Sequence, residues 1–218
     1  DDTVRTIVVT GGGASFSAGA DMNWMRRMAS ATEEANRTDA EGLATLMRTL
    51  AFCPKTTIAR VNGAAFGGGV GLIACCDVAI AVEGAKFALT ETKLGLVPAV
   101  ISPWVVAAMG VRQARRYFQT AELFDAARAR EIGLVHEVTA PDQLDATVVR
   151  TLKALARTGP GAVAEAKQLA WRMAGFDADR QQAIDAGNAR RIARLRVSAE
   201  GQEGLSAFLD KRDASFVR

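Results

Sequence analysis

Two glycine-rich stretches, each fed by a short β-branched run, constrain this chain more than any other feature. Val4-Arg5-Thr6-Ile7-Val8-Val9-Thr10 runs into Gly11-Gly12-Gly13, and Thr57-Ile58-Ala59-Arg60-Val61 runs through Asn62-Gly63 into Ala64-Ala65-Phe66-Gly67-Gly68-Gly69. β-Branched residues suit an extended, pleated backbone, and glycine ends it. The recurrence of strand, turn and glycine loop hints at stacked α/β units. The first run reads as a buried strand. It lies at the very start of the sequence, which points to a further N-terminal segment before it.

The rest of the chain fills in the frame. Residues 21–29 read as a short helix with Asp21 at its start, and 33–52 as a longer one ended by Pro54. Asp77–Val82 reads as a third strand, and Lys86–Leu89 as a short one before Thr90-Glu91. After that the spacing predicts helices over 103–109, 111–119, 125–132, 141–157, 160–174 and 177–211, the last in one or two pieces. Gly133–Val138 is the one late strand. The layout is an α/β core over 1–140 followed by a helical C-terminal part over 141–218.

Scarce residues exclude several chemistries. With a single histidine, His136, there is no histidine cluster for zinc, and a Ser-His-Asp triad would have to run through it. His136 ends the late strand and reads as structural. Cys53, Cys75 and Cys76 show no CxxC spacing, which fits a reducing, cytoplasmic setting. No metal is expected. No apolar run reaches the length of a membrane span, so no membrane is expected. A net charge of +3 is weak evidence for a polyanionic partner. The basic row Arg190-Arg191-Ile192-Ala193-Arg194-Leu195-Arg196 reads as a solvated helix face. Without interleaved aromatics it gives no reason to expect nucleic acid.

The glycine loops match neither common phosphate motif. Gly67-x-Gly69 has Leu72, and Gly11-x-Gly13 has Phe16, where a dinucleotide fingerprint needs its third glycine. Gly63 to Gly68 has phosphate-loop spacing, but Gly69 stands where the lysine belongs. What remains is close backbone approach. Glycines at a helix start present free N–H groups, and the helix dipole favours negative charge there. A tight turn with close helix packing explains the same glycines. Ser17-Ala18-Gly19-Ala20-Asp21 has the same ambiguity, between a ligand loop and a helix cap.

In order along residues 5–212, the chain resembles the crotonase (enoyl-CoA hydratase/isomerase) superfamily. Phe16-Ser17-Ala18-Gly19-Ala20-Asp21 is similar to its F-x-A-G-A-D segment, and Asn62 through Gly69 with Cys76-Asp77 to its N-G-x-x-x-G-G-G…C-D segment. Phe87…Glu91…Gly95…Pro98, Ala126…Val135 and Glu203…Arg212 match later segments. The finer likeness is to bacterial methylglutaconyl-CoA hydratases, through VNGAAFGGGVGL, LGLVPAVISP and ARRYF. The resemblance implies a crotonase-like ββα spiral core with a C-terminal helical trimerisation region, as a homotrimer or a hexamer of two trimers. It also implies an N-terminal hairpin, missing before Asp1, that contributes to coenzyme A binding.

The resemblance further implies an acyl-CoA thioester substrate and no cofactor beyond the substrate's own coenzyme A. Backbone N–H groups of Ala20 and Gly68 form the oxyanion hole, and Glu91 is catalytic. Such a glutamate should be partly buried, with its pKa raised toward neutrality. Ala18, Asp21, Met22, Trp24, Met25, Gly67, Val97 and Pro98 fall to the substrate pocket, with Met28 and Ile101 as neighbours. Phe208 and Lys211 fall at positions that in relatives reach a neighbouring subunit's coenzyme A. Ala14 and Asn23 replace basic residues common around the first loop.

Two departures stand out. Gly71 takes the place of a first glutamate, so Glu91 acts alone or with another group, for which Glu122 is the candidate. Pro98-Ala99-Val100-Ile101-Ser102-Pro103 replaces a glycine-rich P-G-x-G-G-T segment. Three functions stay open: a 2-enoyl-CoA hydratase, a Δ3,Δ2-enoyl-CoA isomerase with one glutamate, and a noncatalytic acyl-CoA- or RNA-binding paralogue. The subgroup likeness favours the first and the missing glutamate the second.

Overall fold

The computed structural model describes residues 1 and 3–218. Its strands in chain order are β1 (Thr6–Thr10), β2 (Thr56–Val61), β3 (Ala65–Phe66), β4 (Val78–Val82), β5 (Lys86–Ala88), β6 (Phe124–Asp125) and β7 (Glu137–Thr139). The helices are α1 (Met22–Ala29), α2 (Glu33–Ala51), α3 (Gly68–Cys75), α4 (Ser102–Thr120), α5 (Ala126–Glu131), α6 (Leu144–Leu155), α7 (Pro160–Met173), α8 (Ala178–Arg196) and α9 (Ala199–Leu209).

The main sheet is parallel throughout, in the order β1-β2-β4-β7. A second sheet, β3-β5-β6, pairs β3 with β5 in parallel and β5 with β6 antiparallel. Successive turns of chain thus give one strand to each sheet: β2 then β3, β4 then β5. The first turn reaches the small sheet through a parallel bridge, Ser17↔Ala65. β2 and β4 are covered on both faces, so they read as near-continuous apolar runs.

β1 is not the buried strand its sequence suggests. Among the described residues it lies at the edge of the main sheet and pairs with β2 alone, which leaves Ile7 and Val8 each 38% exposed. The late strand is also displaced. Gly133 turns with φ 85°, and the N–H groups of Leu134 and Val135 donate to Ala129 O at 2.9 and 3.3 Å. Pairing with β4 then covers only Glu137–Thr139. His136 is the joint before it: its N–H donates to Ala79 O at 2.8 Å, and its Nδ1 accepts from Ala79 N–H at 3.0 Å.

The helices begin where their caps are. Asp21 accepts from Trp24 N–H at 2.8 Å, and Thr32 from Ala35 N–H at 3.2 Å. The helices expected over 103–109 and 111–119 form α4, broken at Gly110 (φ 74°, ψ 156°). From Pro141 onward the chain is helical apart from its turns, and it packs back on its own core. α8 lies along α2, with Arg48 ion-paired to Asp185. α9 covers the 3-10 turn Glu91–Leu94, and glycines allow the approach. A Cβ on Gly204 would meet Leu94 Cα at 2.9 Å, and one on Gly95 would meet Glu200 O at 2.6 Å. Among the described residues no helix is long and apolar enough to cross a membrane.

Candidate active site

The two glycine loops meet because the sheet bridge forces them together. Ser17 N–H donates to Ala64 O at 3.0 Å, and Phe66 N–H to Ser17 O at 3.1 Å. A Cβ on Gly69 would lie 2.5 Å from Ser17 Cβ, so only glycine lets α3 start this close to the first loop. Gly67 turns with φ 52° and ψ −117°, fixed by its N–H donating to Ala88 O at 3.0 Å. Gly68 opens α3, and its N–H has no acceptor among the described residues. Ala20 N–H, next to Gly19 at φ 100°, has none either.

Both loops open into one cavity of about 880 Å³, the size of a small-molecule pocket. Of the residues expected there, Ala18, Ala20, Asp21, Trp24 and Met25 line it from the first loop and α1. Gly67 and Gly68 line it from the second loop. Glu91, Val97, Pro98 and Phe208 complete the set, with Met28 and Ile101 beside them.

Two expected residues stand outside the pocket lining. Met22 begins α1 about 60° round the helix from Met25, away from the Trp24–Met25–Met28 arc, and packs against the core instead. Lys211 follows the end of α9 in the left-handed turn (φ 56°) and is exposed. Phe208 lines the pocket of its own chain.

Glu91 starts the 3-10 turn after β5, and its carboxylate lies against the second loop. A Cβ on Gly67 would meet Glu91 Oε1 at 3.4 Å. Its Oε2 is buried with no hydrogen-bond partner. Burial raises this carboxyl from the ordinary 4.5 to about 7, opposed by a backbone hydrogen bond. A carboxyl of this kind exchanges a proton near neutral pH.

No second carboxylate stands where the resemblance leads one to look. Ile101 Cβ lies 2.8 Å from the point a Gly71 Cβ would occupy, so the isoleucine fills that volume. Glu122 lines a separate concavity of about 430 Å³. Its oxygens accept from Arg116 Nε at 2.5 Å and Nη2 at 3.1 Å, and this bonding holds its carboxyl below the ordinary value. Glu122 is thus ion-paired to Arg116 at the surface, in a concavity apart from the cavity that Glu91 lines.

The sequence reading missed three charged residues of the pocket: Asp39, Lys93 and Arg196. Arg196 closes the basic row assigned to solvent. Arg190, Arg191 and Arg194 are indeed exposed, but Arg196 is 9% exposed. It lies four and three residues after buried Ile192 and Ala193, and that periodicity was the signal available. Elsewhere, burial raises the Cys75 and Cys76 thiols, the latter to about 12, so neither is a ready nucleophile. Asp77 of the C-D pair is structural: its Oδ2 accepts from Thr57 N–H at 2.8 Å, Thr57 Oγ1 at 2.9 Å and Lys167 Nζ at 2.8 Å.

Two paired sheets wound turn by turn, with two backbone donors and a buried carboxyl over one cavity, define the crotonase class of fold and site. The comparisons agree. The enoyl-CoA hydratase/isomerase family model matches residues 1–218. Crotonyl-CoA hydratase of Syntrophomonas wolfei is 33% identical, covering 100% of this chain and 82% of the relative. The 2,3-dehydroadipyl-CoA hydratase of Escherichia coli is 33% identical, over 99% and 82%. The crystal structure of an enoyl-CoA hydratase from Shewanella pealeana superposes with a TM-score of 0.78 at 46% identity, over 99% of this chain and 80% of that one. The chain belongs to the enoyl-CoA hydratase/isomerase family and is an enzyme of that family.

Proposed function

We propose that this chain is an enoyl-CoA hydratase that adds water to a 2-enoyl-CoA thioester. 3-Methylglutaconyl-CoA is the substrate the finer sequence likeness suggests. One observation carries the reading: the buried Glu91 carboxylate, its Oε2 without a partner, faces the loop that offers Gly68 N–H. The thioester oxygen accepts from Ala20 and Gly68 N–H. Ionised Glu91 takes a proton from water as the hydroxyl adds to the β-carbon. Negative charge collects on the thioester oxygen as an enolate, and each donor there contributes about 3–4 kcal/mol. Glu91 then delivers the same proton to the α-carbon. One carboxylate completes the cycle and ends ionised, so no second acid is required.

A single carboxylate also favours a second reading, the Δ3,Δ2-enoyl-CoA isomerase, in which Glu91 moves one proton between two carbons. We further propose a homotrimer or hexamer, a reducing cytoplasmic setting for the three free thiols, and no cofactor beyond the substrate's coenzyme A. The test incubates the protein with 2-enoyl-, 3-enoyl- and 3-methylglutaconyl-CoA in H2¹⁸O. A 3-hydroxyacyl product carrying ¹⁸O supports the hydratase. A shift of 3-enoyl to 2-enoyl without label supports the isomerase. No turnover of any of the three leaves the noncatalytic reading, whereas turnover at a rate unchanged in Glu91→Gln overturns the role of Glu91.

A further inference from the structure

We propose that Arg196 is a specificity residue that binds a carboxylate at the far end of a short acyl chain. The pocket wall formed by Met25, Met28, Leu43, Leu46 and Ile192 is apolar, and the Arg196 guanidinium interrupts it. Burying a guanidinium is costly unless its charge and its donors are answered. Here the answer is partial. Nη1 alone is engaged, donating to Asn36 Oδ1 and Asp39 Oδ2, each at 3.2 Å. The group stacks on Trp24 with its centre 4.8 Å from the ring, and Trp24 Nε1 donates to Asp39 Oδ1 at 2.8 Å.

Nε and Nη2 have no acceptor among the described residues, yet they are not sealed off. These two atoms form the edge of a guanidinium that grips a carboxylate through two parallel hydrogen bonds. Holding Trp24 requires only Nη1, Asp39 and the stacking contact, so the open edge is surplus to a supporting role. Asp39 also balances the charge while the pocket is empty.

The position suits a short chain. Trp24 lies in the first turn of α1, four residues after Ala20, and Arg196 stacks on it. The guanidinium is therefore on the order of 10 Å from the Ala20 N–H. A thioester oxygen held there leaves room for a few carbons before a terminal carboxylate meets Arg196. Lys93 is the other cation of the pocket, but it is exposed and well hydrated, so it discriminates less.

The inference rests on the acyl chain occupying this pocket, but not on which reaction follows. The test is therefore binding. Calorimetry compares glutaryl-CoA with pentanoyl-CoA, two unreactive five-carbon thioesters that differ in the terminal carboxylate. The wild type should bind glutaryl-CoA about 10- to 100-fold more tightly. Arg196→Met and Arg196→Gln should bring that ratio close to one, and Lys93→Met should leave it standing. A wild-type ratio near one overturns the proposal. So does a ratio that survives both Arg196 variants, or one lost in Lys93→Met. If the Arg196 variants do not fold, the wild-type and Lys93→Met ratios decide. Crotonyl-CoA hydration is measured separately: its absence sinks the hydratase reading while the binding ratio still judges Arg196.

Discussion

Ile101 occupies the space that a side chain at Gly71 would need: its Cβ lies 2.8 Å from the point where a Cβ would stand, and Met47 Cε lies 3.3 Å away. Glycine at 71 and isoleucine at 101 are therefore one packing unit. Gly71→Glu alone should destabilise the fold by about 1–3 kcal/mol through overpacking, with no gain in hydration. Adding Ile101→Gly should recover at least about 1 kcal/mol of that loss as coupling between touching residues. Urea denaturation of the two single variants and the double variant measures it. Strict additivity would mean the two positions do not share this volume.

Glu91 links activity and stability to pH in opposite directions. Its carboxyl is raised by burial from 4.5 to about 7, and the mechanism uses the ionised form. Hydration should therefore rise with pH along a curve with its midpoint near 7. Stability runs the other way, because a raised folded pKa stabilises below the unfolded value and the contribution is lost as pH rises through the folded value. Between pH 4.5 and 8, ionisation of Glu91 should cost on the order of 2–3 kcal/mol. Glu91→Gln should thus lose turnover by at least about a thousandfold. It should also be more stable than wild type at pH 8, with the difference gone near pH 4.5. Activity profiles and denaturation at the two pH values check both halves.

The strands and loops that build the site were legible because their signals are local: β-branched runs, glycine stops, and caps such as Asp21. What local patterns missed depends on distant partners. β1 looked buried, because an edge strand and a central strand share the same composition. The late strand moved toward Glu137 because Ala129 and Ala79 satisfy the backbone before it. Gly71 was visible as an absence, but Ile101 filling it is a contact between residues 30 apart. Arg196 was assigned to solvent with its neighbours, although its helical phase put it beside buried Ala193. Asp77 was read as the start of a strand and as part of a motif, and the clamp it forms joins Thr57 of β2 to Lys167 of α7, partners 20 and 90 residues away.

That clamp carries its own expectation. Lys167 is the main polar anchor of α7 on the core, helped by Trp171 Nε1 donating to Ala51 O at 3.2 Å. The Lys167 side chain is only 10% exposed, so removing its carboxylate leaves a charge with no counter-ion and only a long bond, at 3.4 Å, to Lys55 O. Asp77→Ala should cost about 3–5 kcal/mol. Lys167→Met should cost less, because Asp77 keeps its two bonds from Thr57 and the methionine keeps the packing of the stem. Combining the two should be milder than their sum. Chemical denaturation of the three variants settles the order, and a costlier Lys167→Met would contradict it.

The proposed oxyanion donors are backbone groups, so a test must change the backbone without disturbing the fold. Gly68 allows this. It is the first residue of α3, where the helix makes no use of its N–H and proline is tolerated. A Cβ there meets nothing within 4 Å. Gly68→Ala should therefore keep both the donor and near wild-type activity. Gly68→Pro removes the donor and should lower kcat by about 10²–10³-fold, with its melting temperature close to that of Gly68→Ala. Binding of a saturated acyl-CoA should weaken far less than kcat falls, because the donor serves the charge that develops during reaction. Parallel losses in binding and kcat would make Gly68 a ground-state contact. Equal activity in the proline and alanine variants would remove its N–H from the mechanism.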